Sequence, residues 1–300
     1  MSLALKLMRG ALTGLALVPD RPRRALGRGL GHLVISLDQR HRRIIHDNLR
    51  QAFPQRDSRW VDRTARACLA HIGQVALEIP LLIHLSPREI MARTRFHGLD
   101  NFQRAMDQGR GVLFLTGHIG NWEWTSVASG LVLGPCCVVA RPIDWPPADQ
   151  LVNQWRTRTG HVIVPKDSSA RRILAWLRRE RRPVGILLDQ NVDWYEGPWV
   201  EFFGRPACTN KGLALLALAT RAPVLPFYCF RAEDGSFDVY IDPEIPLVRT
   251  GDKIQDVWQN TQNYTRALEE IIRRRPEQWF WIHQRWKTKP YQPWPREPKK

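Results

Sequence analysis

The sequence predicts an α/β fold with a mostly parallel central sheet flanked by helices, preceded by an N-terminal membrane-associated helix. Three observations lead there. From residue 112 onward, short apolar runs alternate with helical patterns, the order that builds a parallel sheet covered on both faces. The strongest runs, Val112-Leu-Phe-Leu-Thr116 and Gly185-Ile-Leu-Leu-Asp189, are continuously apolar rather than alternating, as strands buried on two sides should be. The chain has 300 residues, 43% of them hydrophobic, and no Pro/Gly/Ser-rich linker divides its middle, so one large domain is favoured over two small ones.

Each element follows from its local pattern. Residues 3–18 are apolar apart from Lys6, Arg9 and a few small residues, and Pro19 closes them. The longest charge-free stretch, residues 10–19, is about half of what a spanning helix needs. No small-x-small cleavage site follows, which argues against a signal peptide. With Arg21, Arg23, Arg24 and Arg28 downstream, residues 1–24 read as a helix anchored in, or lying on, the cytoplasmic leaflet. The alternative is an ordinary amphipathic helix of the fold. Residues 25–287 form the main domain. Helical periodicity covers 25–52, then 58–83 with Pro80 as an interruption, then 87–94 and 99–108. Strands follow at 112–116, 136–140, 162–164, 184–188, 223–230 and, as an edge, 237–241. Helices lie between them at 121–133, 148–159, 169–181 and 210–221, and a long helix over 254–275 ends at Pro276. Residues 288–300 hold four prolines and read as a loose tail.

Composition narrows the partners. Lys and Arg total 45 against 29 Asp and Glu, a net charge of +16, which calls for an anionic partner. Thirteen tryptophans favour a membrane surface over nucleic acid, since Trp is an interfacial side chain, and no nucleic-acid module accompanies the aromatic block at 279–286. Five cysteines without C-x-x-C spacing fit a reducing compartment. The histidines include no H-E-x-x-H and no pair four apart, so no metal site is expected, and no cofactor is implied.

Chemistry is expected first at His118-Ile-Gly-Asn-Trp-Glu123, immediately after the 112–116 strand. An imidazole beside a carboxylate is a general base with its orienting group. Five residues along one helix turn through about 500°, roughly 140° net, and would point the two side chains apart. The pair can meet only if His118 lies in the turn and Glu123 in the first helical turn, with Gly120 and Asn121 forming the bend. Arg141 and Asp189 close two other strands, and functional groups of open α/β sheets gather at such ends. Arg141 is either an anion-holding group facing His118 or a surface arginine before Pro142. Asp189, in Asp189-Gln190-Asn191, could bind an arginine or a substrate hydroxyl, or simply cap a turn. Thr209 or Asn210 is a natural helix cap, and the exposed N–H groups with Lys211 would suit a phosphate or oxyanion. The six arginines between 171 and 182 are either a solvated face or a docking site for an acidic carrier protein or anionic head group. His283 is either a second catalytic histidine or one satisfied by packing.

Taken in order, these stations resemble the bacterial lipid A biosynthesis acyltransferases, the late lauroyl and myristoyl transferases. The matching pieces are Asn48-Leu-Arg-Gln-Ala-Phe-Pro54, His118–Glu123, Arg141-Pro142, Gly185-Ile-Leu-Leu-Asp-Gln190, Phe202-Phe-Gly204, Thr209 and Pro276-Glu-Gln-Trp-Phe-Trp-Ile-His-Gln-Arg-Trp-Lys287. The resemblance implies an acyltransferase-like fold and an enzyme at the cytoplasmic face of a bacterial inner membrane. It would move a fatty acyl group from acyl carrier protein to a hydroxyl of a phosphorylated glycolipid, with His118 as base and Glu123 as its partner. Arg141, Asp189 and Gln190 would fall in segments lining the site, and Arg156 also matches a recurring family position. Members that acylate phosphatidylinositol mannosides leave the acceptor open. Two other readings remain. A glycerophospholipid acyltransferase would carry Asp in place of Glu123 and an E-G-x-x-R motif, and this sequence has neither. A basic, non-enzymatic binding protein would explain the charge but not a His/Glu pair at a strand exit.

Overall fold

In the computed structural model, which describes residues 3–140, 143–165 and 169–290, seven strands form one twisted layer. They are β1 (Thr94–His97), β2 (Val112–Thr116), β3 (Cys137–Ala140), β4 (Val162–Pro165), β5 (Pro183–Leu187), β8 (Val224–Arg231) and β9 (Phe237–Ile241), in the order β1-β9-β8-β2-β5-β3-β4. All neighbours run parallel except the hairpin pair β8 and β9. The expected parallel sheet is therefore present, with helices on both faces.

Strand β2 shows why the apolar runs are continuous. Leu113 and Leu115 enter one core, with Ile45, Cys68, Val184, Leu268 and Trp279. Val112 and Phe114 enter the other, with Trp124, Val127, Leu151 and Phe227. Period-two side chains on a strand covered twice must be apolar at every position.

The structure departs from the sequence reading in two helices and in two strand elements. The helix expected over 25–52 is two, α2 (Asp20–Leu37) and α3 (Gln39–Ala52). Asp38 leaves helical geometry and accepts from the His41 N–H at 3.1 Å, so a capping residue wins over a continuous apolar pattern. Conversely, α4 (Ser58–His84) runs through Pro80. The proline removes its own bond to the carbonyl four residues back, but buried Leu81 and Leu82 keep the last turn packed. Strand β1 was not expected: it is a four-residue edge strand whose Arg95 and His97 point outward to Asp238. Nor was the hairpin of β6 (Trp199–Phe202) and β7 (Arg205–Cys208).

The N-terminal helix α1 (Leu3–Leu17) has 15 residues, about 22 Å at 1.5 Å per residue and short of the roughly 30 Å hydrocarbon layer. Its Leu12 and Ala16 pack on the second core, and Leu17 is exposed. Helix α4 is long and apolar enough to cross a membrane by length and composition alone, yet 56% of its most apolar stretch is buried inside the protein; it is the core helix of the fold. The tail expected over 288–300 lies outside the described residues from 291 on, as does Arg141.

Candidate active site

Neighbouring strands build the site. Thr116 of β2 pairs with Leu187 of β5 in parallel register, so the residues two positions on, His118 and Asp189, leave the same sheet edge side by side. The Asp189 carboxylate takes three N–H donors: His118 Nδ1 at 3.0 Å on one oxygen, and His118 N at 2.6 Å with Trp279 Nε1 at 2.9 Å on the other. Gly117 permits this approach, since a Cβ there would meet Asp189 Oδ2 at 3.0 Å. Burial alone would raise the Asp189 carboxyl. The charge and hydrogen bond of His118, with His283 beyond, bring it well below the usual carboxylate range. With Nδ1 held as donor, the His118 Nε2 is left as the proton acceptor, on a ring whose side chain is 16% exposed.

The turn after His118 has the predicted shape. Gly120 sits at φ +58°, and a Cβ there would lie 2.1 Å from the Cys229 carbonyl. Asn121 caps helix α7 (Trp122–Val132), accepting from Trp124 N at 2.9 Å, and Glu123 falls in the first helical turn. The expected contact is absent, however. Glu123 makes no hydrogen bond to the imidazole; its carboxylate accepts from Trp155 Nε1 at 2.9 Å and Arg156 Nε at 3.0 Å, with Arg156 Nη2 on its other oxygen. Burial opposes the Arg156 charge, yet Glu123 raises its pKa above the ordinary value. The reason lies in helix α8 (Pro146–Thr157), which packs beside α7 and presents two N–H donors to the carboxylate first. The orienting carboxylate of His118 is Asp189, and Glu123 orients Arg156.

The segment 278–283 closes the site from outside. Phe280 N donates to the His118 carbonyl at 3.1 Å, Gly120 N donates to the Gln278 carbonyl at 2.7 Å, and Trp279 forms an antiparallel bridge with Ile119. Rings of Trp122 and His283 stand edge-on to His118, with centroids 4.9 and 4.7 Å away. Burial, the largest cause, pushes the His283 pKa down to about 4; Asp189 opposes it, and His118 and Arg285 add to it. The His283 Nε2 is buried without a hydrogen-bond partner. Ligand atoms of His118, Asp189 and His283 lie within 4.8 Å of one another, the spacing a metal ion would need. Asp189 already spends both oxygens on N–H donors, so the trio suits proton handling better than coordination.

Behind the turn lies a buried polar network that the sequence reading missed. Glu78 accepts from Asn121 Nδ2 at 2.8 Å and from Arg231 Nε at 2.8 Å. His71 Nδ1 accepts from Arg231 at 2.6 Å, and its Nε2–H donates to the Gly120 carbonyl at 3.1 Å. This neutral tautomer fits a pKa pushed well below the ordinary value by burial, then by the Arg231 charge. Seven residues apart on α4, His71 and Glu78 share one face, and two ionisable groups within an apolar stripe were the available signal.

The remaining predicted residues lie apart from this cluster. Thr209 is fully buried, its hydroxyl donating to the Ala207 carbonyl at 3.2 Å and accepting from Arg285. Lys211 Nζ donates to the Tyr195 carbonyl at 3.2 Å. Helix α10 (Gly212–Thr220) is capped by Lys211 without a side-chain bond, while Asn210 Oδ1 accepts from Gly212 N. Thr209 thus packs rather than caps. Gln190 is exposed beyond the strand end. The six-arginine run occupies helix α9 (Ser169–Ala175), the π-turn Trp176–Glu180 and the two residues before β5. Its last arginines therefore stand at the sheet edge opposite His118.

An imidazole oriented by a buried carboxylate thus stands at the carboxyl edge of a parallel sheet, and all five thiols are buried and free. The chain belongs to the bacterial lipid A biosynthesis acyltransferase family, whose sequence model matches residues 3–288. It is 25% identical to a lipid A biosynthesis acyltransferase of Haemophilus influenzae, over 92% of this chain and 85% of the relative. It is 26% identical to the lipid A biosynthesis lauroyltransferase of Escherichia coli, over 88% and 85%, and 26% identical to a phosphatidylinositol mannoside acyltransferase of Mycolicibacterium smegmatis, over 75% and 71%. The protein is an acyltransferase of lipid A or related glycolipid biosynthesis.

Proposed function

We propose that the protein transfers a fatty acyl group from acyl carrier protein to a hydroxyl of a phosphorylated lipid A precursor at the cytoplasmic face of the inner membrane. The hydrogen bond between His118 Nδ1 and Asp189 is the observation that carries the chemistry. It puts the proton of the neutral ring on Nδ1 and leaves the Nε2 lone pair to take the acceptor's hydroxyl proton as the oxygen attacks the thioester carbonyl. The imidazolium then formed is stabilised by the Asp189 carboxylate. The tetrahedral oxyanion collapses by expelling the thiolate, which recovers the proton from His118. Arg156, locked by Glu123 with its remaining guanidinium nitrogen free of the carboxylate, is the cation assigned to stabilise the developing negative charge. No covalent acyl-enzyme is needed, and the burial of every cysteine supports direct transfer.

The test is to incubate the purified protein with acyl carrier proteins of several chain lengths and a lipid A precursor, then weigh the lipid product. A mass increase of one acyl chain is expected. His118→Ala should lose about 10²–10⁴-fold in turnover while keeping its circular dichroism spectrum. Substantial activity in that variant, or labelled acyl chain trapped on the protein, would sink the mechanism. If a phosphatidylinositol mannoside is acylated and the lipid A precursor is not, the second group of relatives supplies the better acceptor.

A further inference from the structure

We infer that the arginine-lined cleft between α2 and α4, on the far side of the catalytic turn, binds the phosphate of the acceptor lipid's head group. The inference rests on the acceptor reading above. The cleft has a volume of about 480 Å³, and its walls include Arg21, Arg24, Arg28 and Arg275, with His71 and Gln278 beneath them. At 100° per residue, Arg21, Arg24 and Arg28 fall within an arc of about 60°, a single stripe along α2. Glu233 and Glu277 also line the cleft. Glu277 lies 3.9 Å from Arg275 and Arg24 donates to the Asp234 carbonyl. Arg21 and Arg28, by contrast, make no hydrogen bond or ion pair among the described residues. Arg231 in the floor is already neutralised by Glu78. The cleft thus presents unneutralised, phosphate-matching guanidinium forks.

Two observations point to a lipid head group. First, Leu26, Leu30, Leu33 and Leu37 form a stripe centred nearly opposite the arginines on the same helix, and all four are exposed. With that stripe against a bilayer, the arginines stand about one helix diameter, 10 Å, higher, at the level of head groups. Second, the cleft shares its floor with the catalytic turn. His71 Nε2 donates to the Gly120 carbonyl and Gly120 N donates to the Gln278 carbonyl, so a phosphate held here lies against the turn that carries His118. One lipid could engage both.

The double variant Arg21→Ala/Arg28→Ala tests this, both side chains being exposed and without partners. KM is measured for the phosphorylated acceptor and for the same lipid after phosphatase treatment. Wild type should favour the phosphorylated form by about 10–100-fold, the worth of one charge-assisted hydrogen bond. The variant's ratio should collapse toward one, with kcat on the phosphorylated lipid nearly held. An equal rise in KM for both lipids, or an unchanged ratio, overturns the proposal. A second readout needs no turnover: sedimentation with phosphatidylcholine vesicles doped with the phosphorylated or the dephosphorylated lipid, with inorganic phosphate as competitor. Binding that requires the lipid's phosphate, and is lost in the variant, supports the head group as occupant. Binding of inorganic phosphate without preference for the phosphorylated lipid rejects it. If neither lipid is acylated but the phosphorylated one still binds through Arg21 and Arg28, the acyl-transfer reading fails and the site stands.

Discussion

At His118 the decisive partner is a carboxylate 71 residues away in sequence, and its geometry makes a sharp expectation. Both N–H donors on Asp189 Oδ2 come from fixed groups, so in Asp189→Asn the amide oxygen would stay there and the NH₂ would face His118 Nδ1. The imidazole would then carry its proton on Nε2 and cease to be a base. A loss of about 10³–10⁴-fold in kcat is expected, the scale of a wrong tautomer in a hydrolase triad. Glu123→Gln should act differently. It loosens Arg156 and weakens turnover, but leaves the pH profile of the His118 base in place; a profile displaced as far as that of Asp189→Asn would return Glu123 to the imidazole. His283 carries a pH signature of stability. Its pKa falls from 6.5 to about 4 on folding, so the unfolded chain binds the extra proton between those values. The associated stability is full above pH 6.5 and declines as pH falls toward 4, by up to roughly 3 kcal/mol. His283→Gln should flatten that slope in urea melts at pH 7 and pH 5. The catalytic histidine was legible in the sequence because a strand exit, a glycine and a cap fix where it must be. Asp189 was legible as a strand-end residue but not as the partner, because pairing across β2 and β5 depends on register, which a single chain read in order does not reveal.

At the scale of elements, the crossing of α2 over α4 governs how the N-terminal region meets the domain. Gly27 and Gly31 on one helix face Gly73 on the other, and a Cβ on Gly31 would lie 2.0 Å from the Leu69 carbonyl. That contact is backbone to backbone, so no rotamer relieves it. Gly31→Ala should therefore lower stability by about 1–3 kcal/mol despite its better helix propensity, seen as a lower urea midpoint. An unchanged midpoint would mean that α2 is held loosely. The sequence reading located most strands and helices because their apolar runs are long. It merged α2 with α3 because the apolar spacing carries across Asp38, and it passed over β1 because four alternating residues at an edge barely differ from a loop. The arginine run at 171–182 was legible as a charged face, but which end of the sheet it occupies follows only from the order of strands. A carrier protein docked on its last arginines would have to reach His118 past the height of β5, about 17 Å.

At the scale of the whole molecule, the excess of 16 positive charges and the exposed leucines of α2 are expected to act together at an anionic bilayer. Sedimentation with vesicles should require anionic lipid, weaken as salt rises from about 0.05 to 0.5 M, and fall further in Leu33→Asp/Leu37→Asp. Binding indifferent to that double variant would assign the contact to charge alone. The distribution of the catalytic parts has one more consequence, in the order of synthesis. His118 and Asp189 emerge from the ribosome well before Trp279, yet Trp279 Nε1 completes the Asp189 carboxylate, Phe280 N fixes the His118 carbonyl, and Asn48 near the beginning holds the carbonyls of Trp281 and His283. The last strip of the domain is thus a clasp that ties early and middle segments into one site. A nascent chain stopped short of it would carry His118 and Asp189 without these holding bonds, so activity is expected only once the whole domain has been made.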